Sequence, residues 1–139
     1  MRRLHTLKFK WTVSRGRYTY GYNICTLFVD GYKVSSCNGG GYDMQGTVIG
    51  EWMVENYTDK LKKLRANYGS GDNTGGFYGL RFWNDKRKKS QKTWSKDCSV
   101  SLDGACGFSS MERILNKIGY KLIFIDSGKN HTIYTLEKR

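Results

Sequence analysis

The chain has 139 residues, enough for one domain and too few for two independent cores. Its 24 Lys and Arg against 12 Asp and Glu give a formal net charge of +12, which points to a polyanionic partner and excludes acidic mimicry of nucleic acid. Hydrophobic residues at 38% and aromatics at 14% can fill a core, which excludes a disordered basic tail. The first residues are positive, but Lys8, Lys10 and Arg15 interrupt the apolar run that an export signal needs, so none is expected. No stretch approaches the roughly 18 apolar residues of a membrane span, and a cytoplasmic, membrane-free protein is the expectation. Cys25, Cys37, Cys98 and Cys106 form no CxxC pair, and two His are too few to complete zinc sets. The thiols are therefore expected reduced, with no metal and no cofactor.

Leu7, Phe9, Trp11 and Val13 alternate with Lys8, Lys10, Thr12 and Ser14, which predicts a half-buried strand with a basic outer face. After Arg15-Gly16-Arg17, the run Tyr18 to Val29 predicts a returning strand, and Asp30-Gly31 predicts a type I′ turn into Tyr32 to Ser35. Ile49, Met53, Tyr57, Leu61 and Leu64 predict one long helix over 44–66. A Gly, Ser and Asn loop then leads to a strand over 77–83. The segment 84–97 is rich in Lys and Arg and predicts either a mobile, solvated loop or an extended basic hairpin, the former preferred. Val100 and Leu102 suggest a short strand. Ser109 to Glu112 spells a capping box ahead of the stripe Met111, Ile114, Leu115 and Ile118, closed by Gly119. Tyr120 to Asp126 and His131 to Glu137 predict a hairpin. The expected fold is a single α+β domain over 1–139, a largely antiparallel sheet with an N-terminal three-stranded meander and a C-terminal hairpin packed against two helices.

Three features could carry function. Residues 1–29 hold six Lys or Arg and no acid, and 84–97 adds six more. Such a field suits nucleic acid, with Arg15, Arg17, Lys86, Arg87, Lys88, Lys89 and Lys92 on phosphates and Tyr18 or Trp94 stacking on bases. The bland alternative makes the rings core and the lysines ordinary surface. Glycine loops precede both helices, and Gly39, Gly40, Gly41 and Gly107 with Ser109, Ser110 and Arg113 could cradle a phosphate. Neither loop matches GxxxxGK[ST] or GxGxxG, which favours plain turns and helix caps. Cys106 lies just before a helix start, where a thiol can become nucleophilic, yet nothing brings His5 or His131 near it, and a buried structural cysteine is the favoured reading. Non-enzymatic binding of RNA or DNA is therefore the leading expectation. The alternative is a small nucleotide-binding protein, either a signal-nucleotide sponge or a Cys106-dependent enzyme, using both glycine loops.

Gly21 to Gly31, Cys37 to Gly46, and Asp103 to Ile114 with the later Ile118-Gly119-Tyr120 resemble segments of small uncharacterised proteins of bacteriophages and prophages. The resemblance covers less than half of the chain and implies a setting, not an active residue. It implies a phage or mobile-element protein directed at host defence, such as an anti-CRISPR inhibitor. Its partner would then be nucleic acid or a CRISPR-type nuclease complex.

Overall fold

A computed structural model describes residues 3–13, 24–38, 44–66, 79–103 and 108–139. The alternation that begins the chain becomes β1 (Leu4–Thr12), with Leu7 and Phe9 fully buried and Trp11 stacked on Phe9 at a centroid separation of 6.4 Å. Val13, expected to continue the inward set, lies beyond the strand and is exposed. Antiparallel β2 (Ile24–Val29) pairs with β1, and the turn to β3 (Tyr32–Asn38) has positive φ at both Asp30 and Gly31, as a type I′ turn requires.

The other neighbour of β1 is β8 (His131–Lys138), which also pairs with β7 (Tyr120–Ser127). The five strands run in the order β3-β2-β1-β8-β7, all antiparallel. A bulge at Ile123 resets the alternation in β7, so Leu122 and Ile125 pack inward while Phe124 faces solvent.

The long helix expected over 44–66 is two helices, α1 (Met44–Asn56) and α2 (Thr58–Lys63). The break is at Tyr57, whose backbone leaves helical geometry. There the Asn56 side chain donates to the Trp52 carbonyl at 3.0 Å, competing with the helical pattern. The Tyr57 ring turns inward against Trp52 and Tyr120, and its hydroxyl hydrogen-bonds that of Tyr120. Burial and this bond push the Tyr57 phenol well above its ordinary pKa. Helix α3 (Phe108–Lys117) begins before Ser109, so that serine lies inside the helix rather than at its cap. Its stripe Met111, Ile114, Leu115 and Ile118 is buried, and Gly119 closes it with a φ of +104°.

A second antiparallel sheet, β5-β4-β6, is made of β4 (Gly79–Asn84), β5 (Lys89–Gln91) and β6 (Cys98–Asp103). Leu80, Phe82, Val100 and Leu102 face inward and join one core with the inner face of the large sheet and the buried sides of all three helices. The architecture is α+β with mostly antiparallel sheet, as the sequence predicted. Among the described residues, no helix is long and apolar enough to cross a membrane.

The two sheets meet through α1. Gly46 and Gly50, one turn apart, lie against the backbone of β6, and a Cβ on either would overlap the carbonyl oxygen of Leu102 or Val100 respectively. Without side chains the helix covers the free edge of β6, the position at which an unprotected strand would recruit another chain. In most helices Gly→Ala is stabilising by about 0.5–1 kcal/mol. Here the sign reverses: Gly50→Ala should cost about 2 kcal/mol or more, because rigid backbone must move. Chemical denaturation checks this, and a neutral or stabilising effect would contradict the close approach.

Candidate nucleic-acid interface

With the described helices on the inner face, none of them covers the opposite face of the large sheet. The register sets Lys8 on the central strand between Phe28 of β2 and Ile133 of β8, with Lys33 of β3 beyond Phe28 and Asp126 of β7 beyond Ile133. Two residues along, Lys10 stands between Thr26 and His131. Thr6, Lys8, Lys10, Phe28, Gly31 and Ile133 line a shallow depression of about 420 Å³. The Lys8 ammonium lies 6.0 Å from the Phe28 ring centroid, within reach of a cation–π contact. A half-buried ring beside two lysines can stack on an unpaired base while the ammonium groups hold phosphates.

Asp30, in the turn at the rim of this depression, is turned back onto β1. Its carboxylate accepts the Thr6 N–H at 3.0 Å and contacts His5 Nδ1 at 2.8 Å. Burial raises the Asp30 pKa, but the His5 hydrogen bond, the Thr6 N–H and the positive charges of His5 and Arg3 outweigh it, so the pKa is lowered from the ordinary carboxylate value.

The sequence-predicted basic segment is a hairpin, not an unstructured loop. Asn84, only 4% exposed, accepts the N–H groups of Lys86 and Arg87 through Oδ1 at 3.0 and 2.9 Å, and donates through Nδ2 to Gln91 Oε1 at 2.7 Å. Gln91 Nε2 in turn donates to the Thr93 carbonyl at 2.9 Å. The next residues are tied to the extended chain beyond α2, where Ala66 N–H donates to the Lys92 carbonyl at 2.8 Å. Arg87, Lys88, Lys89 and Lys92 are exposed together on this hairpin, while Lys86 pairs with Asp97 at 3.2 Å. Trp94, expected as a stacking ring, is half-buried and packs against the core.

Arg15, Arg17 and Tyr18 lie outside the described residues, as do Gly39, Gly40, Gly41, Cys106 and Gly107. Ser109 and Ser110 fall in the first turn of α3, and Arg113 is exposed on that helix. Cys25 and Cys37 face each other across β2 and β3 as free thiols, and burial with the neighbouring Cys37 pushes Cys25 up to about 12, which removes it as a nucleophile near neutrality. Among the described residues no three His, Cys, Asp or Glu converge as a metal site. Phe28, Ile133 and His131 are not legible as site residues in the sequence, because only the register across three strands places them beside Lys8 and Lys10. No family model, curated protein or solved structure matches the chain.

Because the Asp30 pKa is depressed in the fold, its contribution to stability is complete above the unfolded value near 3.9 and is lost as pH falls through the folded value. Asp30→Asn should therefore lower stability at neutral pH by no more than about 1 kcal/mol, given a side chain 44% exposed, with the deficit fading in acid. Thermal unfolding across that range checks it, and a pH-independent deficit would contradict the assignment.

Proposed function

We propose that this is a non-enzymatic nucleic-acid-binding protein that holds a single-stranded segment on the open face of its five-stranded sheet. The observation that carries the reading is the row Lys33, Phe28 and Lys8, with Lys10 and His131 beside it. Lysines supply affinity for phosphate without sequence information, and the ring favours unpaired bases, which expose a π-face as a duplex does not. The exposed cations of the β4–β5 hairpin add to the net charge of +12, which raises the rate of encounter with a polyanion. The setting this suits is a phage protein engaging the guide RNA or the displaced DNA strand of a host defence complex, such as a CRISPR-type nuclease.

Titration of labelled single- and double-stranded oligonucleotides at several salt concentrations tests this. Wild type should prefer the single strand. Reversing Lys8 and Lys10 together to Glu should weaken that binding strongly and flatten the slope of log K against log salt by about 1.4, roughly 0.7 for each lost phosphate contact. Phe28→Ala should cost about 1 kcal/mol or more for the single strand only. Unchanged affinity in the Lys8 and Lys10 variant, with loss on reversing Arg87, Lys88 and Lys89, would move the interface to the hairpin.

A further inference from the structure

A second concavity, of about 620 Å³, opens where α1 stands beside the solvent face of the small sheet. Its volume is in the range of small-ligand sites. The floor is formed by two cross-strand pairs, Arg81 opposite Ser101 and Trp83 opposite Ser99. The wall is one face of α1, where Thr47, Glu51, Val54 and Glu55 recur at helical spacing.

The charge here runs against that of the chain. Two of the 12 acids lie on this wall, against the single guanidinium of Arg81. Glu51 is fixed in place, because the Ser35 hydroxyl, on a residue only 8% exposed, donates to its Oε2 at 2.6 Å. Glu55, one turn further, pairs with no cation among the described residues. The Arg81 guanidinium lies 5.1 Å from the Trp83 ring centroid, and its Nε donates to Ser90 Oγ at 3.3 Å, so it is drawn along the sheet. The ring thus already carries a cation on its π-system. An anion would meet two carboxylates here, whereas a cation would meet two acceptors, three hydroxyl-bearing residues and an aliphatic contact at Val54.

We propose that this cleft binds an alkylammonium group, and that it is built for a diamine whose charged ends lie against Glu51 and Glu55 while its methylenes pack on Val54 and Trp83. Side chains one helical turn apart have Cβ atoms about 6 Å apart, a span a four-carbon diamine can bridge. A free polyamine and a lysine side chain of a partner share this chemistry. Neither uses the lysine face of the large sheet, so the cleft operates whether or not that face binds nucleic acid.

The test monitors the Trp83 indole N–H by NMR in the full chain during titration with putrescine, butylamine, a blocked lysine amide and calcium. Putrescine should produce a saturable shift, with butylamine weaker. Glu55→Gln, at an exposed position with no partner among the described residues, should weaken putrescine about tenfold, the scale of one charge-assisted hydrogen bond. Asp59→Asn, one turn beyond the cleft, should leave it unchanged. Tighter binding of putrescine assigns the site to a free diamine, and equal or tighter binding of the lysine amide assigns it to a protein side chain. No saturable shift with any amine, an undiminished shift in Glu55→Gln, or saturation by calcium in preference to the amines would overturn the proposal.

Discussion

The contact of Gly46 and Gly50 with the backbone of β6 determines how the two sheets are arranged. A helix ordinarily packs at a distance set by its side chains; removing them at two positions one turn apart lets the strand edge come against the helix itself. The free edge of β6 is thereby covered, the inner face of the small sheet is brought into the same core as the large one, and the adjoining face of α1 is left as the wall of a cleft. The outer face of the large sheet takes no part in this packing, and none of the described helices covers it.

The surface divides accordingly by charge. The open sheet presents Lys8, Lys10 and Lys33, and Asp30 at its rim is engaged by His5 and the backbone of β1. The cleft on the other side of α1 concentrates Glu51 and Glu55. A polyanion is drawn to one and repelled by the other, so a chain of net charge +12 keeps a place where a cation can be held. The exposed hairpin lysines stand apart on the small sheet, and the turn that presents them depends on a buried amide, Asn84.

Much of this fold was legible in local pattern. The alternation in β1, the Asp30-Gly31 turn and the stripe of α3 ending at Gly119 each arise from residue types within a short window, and each is found. The features that local pattern does not show depend on distant partners. Tyr57 has a helical position in the sequence but is drawn out of the helix by Trp52 and Tyr120. Ile123 breaks the period of β7 and sends Phe124 outward, which alternation alone does not reveal. Trp94 sits among lysines in the sequence and against the core in space. The basic outer face of β1 at Lys8 and Lys10 was visible, though the sequence pointed to Arg15, Arg17 and the 84–97 segment for phosphate contacts; Phe28 and Ile133 required the strand register, and the cleft joins residues of α1 to strands more than 20 positions later in the chain.

The most direct measurement is chemical-shift mapping of the isotope-labelled protein with a short single-stranded oligonucleotide at moderate salt. Binding on the open sheet predicts the largest changes at Thr6, Lys8, Lys10, Phe28, His131 and Ile133, with Glu51 and Glu55 undisturbed. Changes confined to the hairpin around Arg87 and Lys88, or spread evenly over every exposed lysine, would contradict it.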